Sequence, residues 1–162
     1  MDYCIEYLHL DDENHVYKNI NIDEVLDIFS SLKTGLIFIG GYWCKNCQAI
    51  IKQLNDRAKM REIVCIYNLD TRVEDDLGIV EDIRASINLD FKIKFSALCT
   101  EIGVSENMVK VPFFVAVKNG HTEGYYSVEL LYDDGILHYE DSSIDQSLVF
   151  EAEINKLIDL IK

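Results

Sequence analysis

Cys44 and Cys47 stand two residues apart in Gly40-Gly41-Tyr42-Trp43-Cys44-Lys45-Asn46-Cys47, in a chain of 162 residues with five cysteines. Two thiols at that spacing can form a reversible disulfide or supply half of a tetrahedral metal site. The flanks favour the first chemistry. Leu36-Ile37-Phe38-Ile39 is a short apolar run bounded by glycine and reads as a buried strand. Gln48 to Asn55 carries Ile50, Ile51 and Leu54 and reads as a helix. The pair therefore falls where a strand turns into a helix, and unpaired N–H groups and the helix dipole favour negative charge there. A thiolate is such a charge, so Cys44 is expected to have a lowered pKa and to be the nucleophile. Cys47, one turn on, is expected beneath it within bonding reach. A metal site would need two more ligands. Cys65, Cys99 and the four histidines are scattered, so no metal is expected.

The surrounding elements must hold this junction. Cys4 to Leu10 reads as a strand, Asp11-Asp12-Glu13-Asn14 as a turn and His15 to Ile20 as a second strand. A helix is predicted from Ile22 to about Leu32, with Asn21 as N-cap, Glu24 three residues on, and a face of Val25, Ile28, Phe29 and Leu32, stopped by Gly35. The dithiol helix runs to about Met60, and Glu62 to Asp70 is another buried strand. Strand, helix, strand, helix, strand implies right-handed crossovers and a parallel sheet portion.

Ile79, Val80, Ile83 and Ile87 then repeat at helical spacing, predicting a helix near 74–88 with Glu74, Asp75 and Asp76 in its first turn. Leu89, Phe91, Ile93 and Phe95 alternate, predicting an extended piece near 90–95 and a helix near 96–103 capped by Ser96. One uninterrupted helix is the alternative. Val111-Pro112-Phe113-Phe114-Val115-Ala116-Val117 reads as a strand, and Lys118-Asn119-Gly120 as the start of a hairpin. Tyr125 to Tyr132 and Ile136 to Glu140 flank a second hairpin at Asp133-Asp134-Gly135. A last helix, about Ile144 to Ile161, carries Leu148, Phe150, Ile154, Leu157, Ile158 and Ile161. With no repeat or linker, residues 1–162 read as a single domain.

Composition bounds the partners. A net charge of −14 argues against nucleic acid and against anionic membranes. The longest apolar run, Leu36 to Trp43, is too short to cross a bilayer, and the N-terminus lacks the basic and apolar regions of a signal peptide. A reducing cytoplasm is the expected location. Cys4, Cys65 and Cys99 then read as small core residues, with Cys65 inside a buried strand. His9, His15, His121 and His138 flank turns and strand ends and are expected to face solvent.

The order of these pieces resembles the thioredoxin-like superfamily: a strand, Trp43-Cys44-Lys45-Asn46-Cys47, a helix, a strand ending Asn68-Leu69-Asp70, then Val111-Pro112-Phe113-Phe114. The resemblance runs from about His15 to the C-terminus. It implies an α/β fold with a mixed central β-sheet flanked by helices. It implies a cis proline at Pro112, the only proline of the chain, facing the dithiol, with Val111 pairing to substrate backbone. The implied activity is thiol–disulfide oxidoreduction, Cys44 attacking and Cys47 resolving, with Trp43, Lys45 and Asn46 beside the pair and no bound cofactor. The implied partners are a protein or small-molecule disulfide and a thioredoxin-reductase-like electron donor.

Three departures stand out. The buried acid six residues ahead of the first cysteine is replaced by Phe38, and its partner lysine by Ile66 or a residue close to it. Lys45-Asn46 replaces Gly-Pro, and Lys45 is expected to stabilise the thiolate and make the pair more oxidising. About forty residues separate Asp70 from Pro112, an insertion between the third core strand and the proline strand. Tyr42 either offers a hydroxyl near Cys44 or packs against the sheet. The competing reading is an interaction module on the same fold with little catalytic activity.

Overall fold

The structure, a computed structural model, describes residues 2–128 and 144–162, the side chains of 144–146 excepted. Five strands, β1 (Tyr17–Ile20), β2 (Gly35–Ile39), β3 (Ile66–Leu69), β6 (Phe113–Lys118) and β7 (His121–Ser127), form a sheet in the order β1-β3-β2-β6-β7. β1, β3 and β2 are parallel, while β6 runs antiparallel to β2 and β7 antiparallel to β6. The helices are α1 (Tyr3–Glu6), α2 (Ile22–Ser30), α3 (Lys45–Met60), α4 (Leu89–Ile102) and α5 (Ile144–Ile161). β4 (Arg72–Glu74) and β5 (Val80–Asp82) make a separate two-stranded sheet. This mixed sheet with flanking helices is the expected thioredoxin-like fold, and the insertion lies where the length of the 71–110 segment placed it.

Both faces of the sheet are covered, and β2 shows how. Leu36 and Phe38 pack into one core cluster with residues of α1, α3 and α5. Ile37 and Ile39 pack into the other, with residues of α2 and α4. A central strand buried on both faces reads as a continuous apolar run, which is why its sequence signal was strong. α2 begins with the predicted capping box: Asn21 Oδ1 accepts from Glu24 N–H at 2.9 Å, and Glu24 Oε2 accepts from Asn21 N–H at 2.8 Å. Asn119 and Gly120 take positive φ in the β6–β7 turn, as an Asn-Gly hairpin requires.

Several local expectations are corrected. Cys4 to Leu10 is not a strand. Asp2 caps α1 by accepting from Cys4 N–H at 3.1 Å, and Tyr3 and Tyr7, four residues apart, stack at 5.7 Å on the core side. A period of four, not two, decided that segment. The helix expected near 74–88 is the β4–β5 hairpin. Asp75 Oδ1 accepts from the N–H groups of Leu77 and Ile79, and Gly78 takes positive φ. Turn chemistry won over the apolar spacing: Ile79, Val80 and Ile87 are exposed and only Ile83 is buried. The extended piece at 90–95 and the Ser96 cap are replaced by continuous α4, capped by Asn88 and stopped by Gly103 in the left-handed region. Phe95, Leu98, Cys99 and Ile102 form its buried stripe.

Gly35 opens β2 rather than stopping α2, which ends at Ser30 before Leu32 takes positive φ with its side chain exposed. Leu148 on α5 is likewise exposed. Cys65 precedes β3 and is half-buried instead of core, as is Cys4, and His15 is half-buried where a solvent-facing side chain was expected. The expected hairpin at Asp133-Asp134-Gly135, with its flanks and His138, lies outside the described residues.

Candidate active site

Cys44 is the N-cap of α3. Its sulfur accepts a hydrogen bond from Cys47 N–H at 3.3 Å, so the chain's own helix start binds the thiolate. The Cys44 thiol is lowered to about 7. The largest cause is a hydrogen bond from the Cys47 thiol, followed by backbone N–H groups of Cys47 and Asn46 and the positive charge of Arg84, all working against partial burial. Cys47 is wholly buried, and burial and the neighbouring Cys44 sulfur push its thiol well up. The two sulfurs are thus split into an ionisable outer thiol and a protonated inner one. A Cβ at Gly40 would lie 2.6 Å from Cys47 Sγ, so the strand end can approach the inner sulfur only without a side chain.

Val111–Pro112 is a cis peptide, and the Val111 carbonyl oxygen lies 4.0 Å from Cys44 Sγ. Val111 is half-buried and packs against both core clusters. Trp43 immediately precedes the outer cysteine. Its Nε1–H donates to Asp70 Oδ1 at 2.7 Å, and burial raises the Asp70 carboxyl. A Cβ at Gly41 would overlap Trp43 Nε1 and the Asp70 carboxylate, which explains the second glycine. Lys45 is exposed and Asn46 half-buried at the rim. Tyr42 is exposed as well, so its hydroxyl is not buried beside the pair.

Four contributors escaped the sequence reading. Arg72 lies over the Trp43 ring at 4.0 Å and Arg84 at 5.9 Å, both delivered by the inserted segment. Asp82 holds Arg84 through Nε at 3.0 Å and Nη2 at 2.7 Å, and Nη1 donates to the Val109 carbonyl at 3.3 Å. The insertion thereby spans from the tryptophan to the segment before the cis proline. Asn68, wholly buried, donates to the carbonyls of Phe38 and Gly40 and accepts from Tyr3 O–H at 3.0 Å, fixing the strand end that leads into the dithiol. No local pattern marks an arginine on a remote hairpin. The Asn68-Leu69-Asp70 strand end was visible, but its contacts were not.

Phe38 stacks on Phe114 at 5.3 Å and is wholly buried, as is Ile66. Phe38 and Ile66, where the resemblance implies an acid and, there or close by, its partner lysine, are thus apolar core. Among the described residues, no group of three His, Cys, Asp or Glu side chains converges as a metal set, and no helix is long and apolar enough to cross a membrane.

No family model matches the chain, and no curated protein matches it. Solved structures do. Thioredoxin f from spinach chloroplast, in its short form, is 16% identical over 90% of this chain and 99% of that chain, with a TM-score of 0.46. A chain from the crystal structure of a ferredoxin:thioredoxin reductase and thioredoxin f2 complex is 16% identical over 86% and 94%, with a TM-score of 0.45.

Proposed function

We propose that the protein is a thiol–disulfide oxidoreductase acting on protein or small-molecule disulfides. The observation that carries this reading is the Cys44 sulfur at the start of α3, lowered to about 7, with Cys47 buried one turn on and the Val111 carbonyl 4.0 Å away. Cys44 attacks a substrate disulfide and forms a mixed disulfide; Cys47 attacks Cys44 and releases the substrate thiol. Trp43 walls the pair, Lys45 and Asn46 form its rim, and the Val111 backbone beside Pro112 pairs with the substrate chain. Reducing equivalents come from a thioredoxin-reductase-like donor in the cytoplasm, and the reaction needs no bound cofactor.

The test is a redox titration of the pair in dithiothreitol and glutathione buffers, read by the fluorescence of Trp43, the only tryptophan. A two-electron transition at or below about −270 mV supports a reductase, and one near about −200 mV a glutaredoxin-like role. Cys44→Ser with full dithiol-dependent activity would sink the assignment.

The apolar pair Phe38 and Ile66 favours one competing reading, an interaction module with little turnover. Absence of a reversible transition, with both thiols slow to alkylate, would select it.

A further inference from the structure

Tyr7 is wholly buried, yet its hydroxyl has no hydrogen-bond partner among the described residues. A buried hydroxyl in that state is destabilising and calls for an account. The two buried tyrosines around it differ: Tyr3 O–H donates to Asn68 Oδ1 at 3.0 Å, and Tyr17 O–H donates to the Ile51 carbonyl. Tyr7 shares its core cluster with Cys47. Gln48, the residue after Cys47, ties down the backbone on both sides of it: its Oε1 accepts from Leu8 N–H at 3.0 Å and its Nε2 donates to the Glu6 carbonyl at 2.8 Å. The segment carrying Tyr7 is thus clamped to the turn carrying the inner thiol.

Cys47 from α3, Tyr3 from α1 and Tyr17 from β1 share the core cluster of Tyr7, with Tyr3 stacked on it at 5.7 Å, and Asp70, just past β3, acts on it through its charge. A negative charge on Cys47 would push the Tyr7 hydroxyl up further. The charges of Cys44, Asp70 and Arg84 act on Cys47 in turn. Burial keeps the Tyr7 hydroxyl protonated far above neutral pH, so toward a sulfur it can only donate.

We propose that Tyr7 is a positioning residue for Cys47, its hydroxyl donating a hydrogen bond to the Cys47 sulfur as that sulfur takes up negative charge. The inference rests on the disulfide-exchange reading and concerns its second step. There Cys47 gives up its thiol proton, its sulfur bonds to Cys44 Sγ, and the bond from Cys44 to the substrate sulfur breaks. The electron pair leaves on the substrate sulfur, which departs as thiolate or takes up the proton. Tyr7 keeps its own proton throughout. Phe38, in the same core cluster as Cys47, has no polar atom and supplies no hydrogen bond to the inner sulfur.

The two steps separate when the reduced full chain is rapidly mixed with one equivalent of 5,5′-dithiobis(2-nitrobenzoic acid). The first thionitrobenzoate release reports attack by Cys44 and the second attack by Cys47; Cys47→Ser marks what the other cysteines contribute. Tyr7→Phe should leave the first release unchanged and slow the second roughly tenfold at neutral pH, with the midpoint of its pH profile moved upward. The urea midpoint of reduced Tyr7→Phe should be unchanged or higher, because the deleted hydroxyl has no partner among the described residues. Tyr17→Phe, which deletes a bonded hydroxyl in the same cluster, should leave the second release unaltered. A second release in Tyr7→Phe with wild-type rate and pH profile overturns the proposal, as does equal slowing by Tyr17→Phe. Failure of the first release in the wild-type protein is a separate result and removes the disulfide-exchange reading beneath it.

Discussion

Cys44 and Arg84 are forty residues apart in sequence, and the reactivity of the first depends on the second only through the fold. Lys45, the cation adjacent in sequence, is exposed, whereas Arg84 is among the groups that lower the Cys44 thiol. Only the thiolate alkylates, so the iodoacetamide rate of the reduced protein should rise with pH through a midpoint near the thiol's value of about 7. Below that midpoint the sulfur is protonated and slow; above it the rate is flat. Removing a nearby positive charge disfavours the thiolate, so Arg84→Ala should move the midpoint upward and slow alkylation at pH 6.5 by roughly fivefold. Lys45→Ala should move it less. The profile is read by mass spectrometry of the Cys44 peptide.

At the scale of elements, the starts of α2, α3 and α4 each have their own chemical reason. α2 is held by the Asn21–Glu24 capping box, α4 by Asn88 accepting from Asp90 N–H at 2.9 Å, and α3 by the Cys44 sulfur itself. The reactive group thus doubles as a cap, so the helix start and the thiolate stabilise each other. Asn21→Ala, remote from the dithiol, should lower stability by about 1 kcal/mol in urea denaturation while the alkylation profile of Cys44 stays in place. The capping box was legible because its residues are neighbours in sequence. The 71–110 segment was not, because Asp75 can form its turn with local N–H groups whatever the spacing of the isoleucines around it, and periodicity alone cannot say which competitor wins.

For the whole molecule, the sheet divides two apolar cores and the dithiol sits at the end of its central strand. The position an acid would take is filled by Phe38, packed against Phe114 at 5.3 Å and Tyr17 at 6.3 Å. A carboxylate there would lose the ring contacts and sit desolvated, so Phe38→Asp should destabilise the protein by roughly 3–5 kcal/mol and bring no gain in turnover. Urea denaturation and a dithiol-dependent reduction assay measure both outcomes.

By itself, the sequence determined what local patterns can encode. The strand–dithiol–helix junction follows from a two-sided apolar run, two glycines and an amphipathic stretch. The capping box and the Asn-Gly hairpin follow from short-range hydrogen bonding, and Pro112 was marked by its place at the head of a strand. Only the tertiary structure decided what lies around the sulfurs. Asp70 against Trp43, Arg72 and Arg84 from the inserted segment, and Tyr7, just past α1 and in the core cluster of Cys47, are brought there across long stretches of chain. Side chains brought together by strand order and packing leave no periodic trace in the sequence, because the contacts that place them join residues far apart along it.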